Sequence, residues 1–319
     1  MRKPLALALL FLGPNLLSAN PGHETTIAEL NAQIAQLPNL PELYFQRAWN
    51  YREIGRPADA RADWETALRL QPGFLPASRE LARADADAGH PARALARLRQ
   101  ALASAPPDQA FHRPGCHSVL AELLLRQHQN EAALAEAEAG LAASPDLLLD
   151  LCLLRSEAQR RLGRLRQRVD DLAAASAKLP SFLVKTKWID AMIDADRGRE
   201  VLPEIEQELA NTRYQAAWRI RRARIHLRNG SPAPDLAAAL QEIETRLRPE
   251  NPDLSLICER GLIHSLQGNP TAAAADLALA RRQGADFWMT LPLEALLPEN
   301  PAPAKEPPSA SPSPSFPPS

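Results

Sequence analysis

The sequence predicts an all-α protein built as a solenoid of about seven helix-turn-helix units. Three observations predict it. A unit of about 34 residues recurs, most plainly where Pro41 to Gln71 is followed by Leu75 to Ala105. Alanine falls at the same three points in both copies, Ala48/Ala82, Ala60/Ala94 and Ala67/Ala101, with Gly55/Gly89 between the helices and Pro72/Pro106 after them. The composition, 45% hydrophobic but only 5% aromatic in 319 residues, suits stacked short helices rich in alanine and leucine.

The chain opens with Arg2 and Lys3 before the apolar run Leu5 to Leu12, and Leu17-Ser18-Ala19 offers small residues for cleavage near Ala19. Residues 1–19 therefore read as a signal peptide, which places the mature protein in the periplasm or outside the cell. The run is broken by Gly13, Pro14 and Asn15, and Asn20 stands where a lipoprotein would need cysteine, so no membrane insertion of the mature chain is expected. Residues 20–40 read as a capping helix, with Ile27, Leu30, Ile34 and Leu37 on one stripe.

Residues 41–298 form the expected solenoid. Where two helices cross, the backbones approach closely, so a small side chain is required at Ala48 and Ala60 while Tyr44, Tyr51 and Trp64 fill the space around them. The small residue of each first helix recurs at Ala48, Ala82, Ala121, Ser156, Ala191, Ala223 and Gly261. The turn residue keeps step at Gly55, Gly89, His128, Gly163, Gly198, Gly230 and Gly268, where a helix end calls for positive φ. Units four to six depart from the pattern, with Arg168, Pro203 and an insertion around Ser231 to Pro234. Residues 299–319, made almost wholly of Pro, Ser and Ala around Phe316, read as a disordered tail.

Over roughly residues 41–285 these units resemble the tetratricopeptide repeat. The HETTIAEL start and the run LYFQRAWNYREIGRPADARADWETAL also resemble the opening of small exported bacterial tetratricopeptide proteins, a group of no assigned role. The resemblance implies that the first helices line a concave face along which a protein or peptide partner lies. On that face the residues left over from packing are Phe45, Trp49 and Arg52, then Arg79 and Arg83, Arg126, Arg160 and Arg161, Trp188 with Met192, and Arg224 with Arg228. Acids at Glu53, Asp87, Glu122, Glu157 and Asp196 share the surface. The tetratricopeptide domains that grip chaperone C-termini use a clamp of lysine, asparagine and arginine. Phe45 and Trp49 stand where that clamp would begin, which disfavours that ligand.

The remaining chemistry is sparse. Cys116, Cys152 and Cys258 form no C-x-x-C pair, and an odd count leaves a thiol unpaired. His112, Cys116 and His117 carry metal-binding atoms, but at a spacing that matches no established zinc site. No glycine-rich phosphate loop or nucleophile-base set is present, so no catalytic residue and no cofactor is expected and the chain reads as a non-enzyme. A net charge of −1 argues against nucleic acid as the partner. The alternative to a peptide-binding scaffold is a binder of acidic envelope polymers or metal-linked ligands, through the basic patches Arg160 to Arg168 and Arg219 to Arg228 and the His112 to His117 loop. An enzyme with an unrecognised site is the third reading.

Overall fold

The computed structural model describes residues 21–227, 233–248 and 250–297. The expected leader at 1–19, the expected tail at 299–319, Arg228, Gly230 and the start of the Ser231 insertion lie outside them. The described residues are helical throughout, and no strand occurs among them. A capping helix, α1 (Pro21–Gln36), precedes the pairs α2 (Pro41–Glu53) with α3 (Pro57–Leu70), α4 (Leu75–Asp87) with α5 (Pro91–Ser104), and α6 (Arg113–Arg126) with α7 (Asn130–Ala142). Then come α8 (Leu149–Arg161) with α9 (Leu165–Lys178), α10 (Phe182–Asp194) with α11 (Leu202–Asn211), α12 (Ala216–His226) with α13 (Ala233–Arg246), α14 (Leu254–Leu266) with α15 (Pro270–Arg282), and a last helix α16 (Phe287–Glu294). The chain divides into two compact units, residues 1–191 and 192–319.

Within the first unit the alanine register does what the crossing geometry demands. Ala48, Ala60, Ala67, Ala82, Ala94 and Ala121 have no exposed surface, and Trp64, Phe74, Ala77 and Leu81 pack around the first three. Gly140 takes the same role in α7: a Cβ there would stand 2.8 Å from Leu151 and 2.9 Å from the Cβ of His117. The degraded fourth pair is repaired by a hydrogen bond. Arg168, which replaces a small residue, is buried, and its Nε donates to the hydroxyl of Ser156, the small residue of the same pair, at 3.0 Å. In the second unit Ala223 is fully buried and Gly261 leaves no room at all, since a Cβ would meet Leu293 at 2.5 Å.

The first helices end alike. Gly55, Gly89, His128, Gly163 and Gly268 take positive φ between 58° and 79°. The amide of the next residue closes back on a carbonyl five residues earlier, as in Arg56 N–H to Tyr51 O at 2.8 Å and His90 N–H to Asp85 O at 2.8 Å. The fifth pair corrects the expected frame. Asp196, with φ 66°, is the turn residue, and Arg197 N–H closes on Met192 O at 2.8 Å. Gly198 instead opens a short 3-10 turn, Gly198–Val201, and is needed because a Cβ would press to 2.8 Å on Ile225. Two further expectations fail on burial. Leu37 lies past the end of α1 and is exposed, because the stripe that packs is Ile27 and Leu30, and Met192 is buried rather than on a ligand-facing stripe.

Candidate binding surface

The first helices of the first unit bring several of the expected residues to one place. Phe45 on α2 packs edge-on against Phe74 at 5.6 Å. Trp49, one turn further, is 43% exposed, with the His23 ring of α1 at 5.8 Å and the Arg52 guanidinium 5.8 Å from its centroid. Arg52 then reaches across to α4, where its Nη1 donates to Glu80 Oε2 at 2.9 Å, and it also meets its neighbour Glu53. From α4 itself Arg79 Nε and Arg83 Nη1 donate to Glu80 Oε1 at 2.9 and 3.1 Å. Three guanidiniums thus converge on one buried carboxylate. Arg79 gets there by lying against the first turn of α6, where Gly115 leaves the space: a Cβ at that position would stand 2.7 Å from Arg79 Nη1.

The loop before α6 is held in register from below. Gln109 is buried, and its Oε1 accepts from the Leu75 amide at 3.3 Å, satisfying an orphan donor at the start of α4. His112 follows, its pKa lowered by burial and by the Arg79 charge. Because α6 already begins at Arg113, Cys116 and His117 point in different directions on the helix. The Cys116 thiol is buried against Leu75 O at 3.9 Å, and burial pushes its pKa up to about 11. His117 Nδ1 lies 2.7 Å from Glu136. Among the described residues no group of three or more His, Cys, Asp or Glu side chains could hold a metal ion.

The other expected residues are spread out, and each arginine meets a partner in the chain. Arg126 pairs with Glu122 at 2.6 Å on the same helix. Arg160 and Arg161 both bind Glu157, and Arg161 also donates to Leu125 O at 2.7 Å. Glu157 is therefore buried rather than a surface acid. Burial would raise its pKa, yet the hydrogen bonds and charges of Arg160 and Arg161 outweigh that and hold it below the ordinary carboxylate range. Arg164, from the same basic run, is taken by Glu131 at 2.7 Å. Trp188 on α10 is half-buried. In the second unit Arg224 binds Asp194 at 2.6 Å.

Sequence reasoning missed a second convergence on α4. Asp85 has no exposed surface and accepts from Arg61 Nη2 at 2.8 Å, Arg93 Nη2 at 2.5 Å and Arg97 Nε at 3.1 Å. Burial pulls its pKa up, and the three guanidiniums pull it further down, so the group stays ionised. The Glu80 and Glu157 clusters did have a legible signal, since arginines three or four residues away share a helix face with the acid. Arg61, Arg93 and Arg97 come from two other helices and left none.

With this geometry in hand the comparisons are clear about architecture. The tetratricopeptide repeat family model matches residues 41–74. The chain carries the tetratricopeptide-repeat fold. A tetratricopeptide repeat protein from Parabacteroides merdae ATCC 43184 is similar over 80% of this chain and 98% of its own, at 16% identity and a TM-score of 0.55. Yeast Tom70 is similar over 86% of this chain and 58% of its own, at 14% identity and a TM-score of 0.52. No curated protein matches the chain in sequence. Identities this low establish the fold alone, so function has to be argued from the site.

Proposed function

We propose that this chain is an exported, non-catalytic scaffold that holds a protein or peptide partner on the face built by its first helices. The observation that carries the reading is the pairing of an exposed aromatic with a pre-organised cation cluster: Trp49 stands beside Arg52, which with Arg79 and Arg83 surrounds Glu80. Trp and Arg are the residues that dominate binding hot spots, and a guanidinium locked by one carboxylate still offers further N–H groups to another. The partner would contribute an apolar side chain to Trp49 and Phe45 and a carboxylate to the outward edges of Arg52 and Arg83, which are 40% and 47% exposed at the side chain. Arg126, Arg160, Arg161 and Trp188 would extend this contact surface in the first unit, the arginines' internal partners competing with the ligand, and Arg224 and Arg228 would serve a contact of their own in the second.

The test begins with affinity capture from the native host's envelope extract and identification of what binds. Trp49→Ala and Arg83→Ala should each weaken the captured partner at least tenfold while helicity and melting temperature stay near the parent's. Glu80→Gln frees donors that Glu80 now occupies and should tighten an acidic ligand. Equal binding by all three variants would overturn the reading. Export is checked separately by N-terminal sequencing of protein from the host, which should begin at or near Asn20; an intact Met1 on cytoplasmic material removes the envelope location.

A further inference from the structure

The chain has 32 arginines and 5 lysines, and two of the lysines, Lys3 and Lys305, lie outside the described residues. The other three, Lys178, Lys185 and Lys187, fall together at the corner where α9 ends and α10 begins. Residues 169–196 contain no arginine, while Asp170, Asp171 and Asp190 flank the corner and Lys185 and Lys187 each have a partner within the chain. Phe182 and Leu183 stand at this corner with 64% and 42% of their surface exposed. They are the only consecutive pair of exposed large apolar residues among those described. The register of α10 explains their position: Val184, Thr186 and Ile189 are buried, which turns the first two residues of the helix outward. Lys178 and Pro180 are exposed beside them, and Lys185 and Lys187 are half-buried one turn on.

We propose that this corner docks on an anionic lipid surface, with Phe182 and Leu183 entering the headgroup region and Lys178, Lys185 and Lys187 facing lipid phosphates. The inference does not rest on the peptide-binding reading, whose central residues Phe45, Trp49, Arg52, Arg79 and Arg83 lie on α2 and α4. Lipid is favoured over an acidic protein by the choice of cation. Contact surfaces between proteins are enriched in arginine and depleted in lysine, and a chain with 32 arginines places none here. Lysine suits a membrane interface because its long apolar stem can lie along the hydrocarbon boundary while the ammonium stays in water. Two apolar side chains with a few lysines give reversible binding rather than insertion. Each lysine near an anionic surface is worth about fivefold in affinity, so three together are worth on the order of 100-fold.

Vesicles of phosphatidylcholine with and without phosphatidylglycerol test this by co-sedimentation. The full chain and the chain begun at Asn20 are run side by side, because Leu5 to Leu12 would itself partition into lipid, and variants are compared with their parent in each. Both parents should prefer vesicles that contain phosphatidylglycerol. Phe182→Ser with Leu183→Ser should reduce partitioning at least tenfold, and Lys178→Gln, Lys185→Gln and Lys187→Gln together on the order of 100-fold. The triple change to arginine keeps the charge and should bind as the parent does, which separates lost charge from lost folding at the half-buried positions. Phe111→Ser, at a residue 86% exposed elsewhere in the first unit, should change nothing. The proposal is overturned if the chain begun at Asn20 shows no preference for phosphatidylglycerol, or if the Phe182/Leu183 variant partitions like its parent. It is equally overturned if the corner variants leave vesicle binding intact but lose an acidic protein from the extract.

Discussion

The two compact units build the same helical register, and one carboxylate from each, Asp85 in the first and Glu259 in the second, shows two ways of taking an acid out of water. In the first, Asp85 on α4 is enclosed by Arg61, Arg93 and Arg97, and these hold it ionised. In the second, Glu259 on α14 accepts a very short hydrogen bond from Tyr214. Burial drives its pKa upward; Tyr214 and Arg221 oppose this, while Asp253 and Glu242 add to it. An acid taken out of water must be matched by cations or give up its charge. The first solution ties α3, α4 and α5 together through one side chain. The second joins α14 to the residues before α12 through the hydrogen bond that Tyr214 donates to Glu259.

The largest expected effects follow from breaking this contrast. Asp85→Asn leaves three guanidiniums facing one another without a counter-charge and should cost about 3 kcal/mol, the low end of the range for a broken buried pair because the arginines reach water. Glu259→Gln keeps an acceptor for Tyr214 and should cost less than about 1 kcal/mol. Denaturant titrations at neutral pH measure both. Their pH dependence should differ in sign. The folded pKa of Asp85 lies below its unfolded value of about 3.9, so its contribution is complete above that value and is lost as pH falls through the folded pKa. The gap between parent and Asp85→Asn should therefore close in acid. The folded pKa of Glu259 lies above its unfolded value of about 4.3, so the ionised form weakens the fold at higher pH. Any advantage of Glu259→Gln should be absent below about pH 4.3, grow as pH rises from there through the folded pKa, and stay constant above it. A Glu259→Gln gain that persists or grows below about pH 4.3, or an Asp85→Asn gap that widens as pH falls, would break the comparison.

A smaller effect compares the crossing points. Ala48 and Gly261 occupy equivalent places in the two units, both without spare volume. Ala48→Leu adds three heavy atoms to a closed site and should cost about 1 to 3 kcal/mol. Gly261→Ala adds one, at 2.5 Å from a fully buried Leu293; the alanine gains about 1 kcal/mol in helix propensity, so the net loss should be the smaller, about 1 kcal/mol. Thermal melts of the two variants rank them. If Ala48→Leu melts like the parent, the register of the first pair is wrong.

This register was legible from the sequence because a crossing point admits almost no side chain but alanine, serine or glycine, and all seven expected positions are buried. The fate of the charges was not. The sequence reading treats the arginines of the first helices as a surface for a ligand. Arg126, Arg160, Arg161 and Arg224 are instead each held by an acid of the chain. Arg47, Arg155 and Arg260, which the sequence reading left unassigned, are held by Asp63, Asp171 and Asp276, each sixteen residues on in the partner helix of its own pair. Arginine needs a partner's position in space to be called internal or external, and a helix pattern gives only the face. The corner at Phe182 and Leu183 was hidden for the same reason: an apolar pair at a helix start looks like core until burial is known.

The last comparison concerns the turns. Gly89, at φ 79°, has nothing within 4 Å of where a Cβ would stand, so Gly89→Ala should cost only the left-handed strain, about 1 to 2 kcal/mol. The repeat frame puts the equivalent glycine of the fifth pair at Gly198, whereas the backbone puts the left-handed residue at Asp196. Aspartate tolerates that conformation better than most side chains, and glycine better still, so Asp196→Gly should be neutral or stabilising within about 0.5 kcal/mol. Gly198→Ala should destabilise by packing, because its Cβ would press on Ile225 at 2.8 Å and on Ile193 at 3.4 Å. The pair discriminates between the two frames through a second mutation: trimming Ile225 to alanine removes the Cγ1 and Cδ1 atoms near that site, and in a double-mutant cycle it should partly rescue Gly198→Ala if the cost is steric. If Ile225→Ala gives no rescue and Asp196→Gly is clearly destabilising, the turn of the fifth pair lies at Gly198 after all.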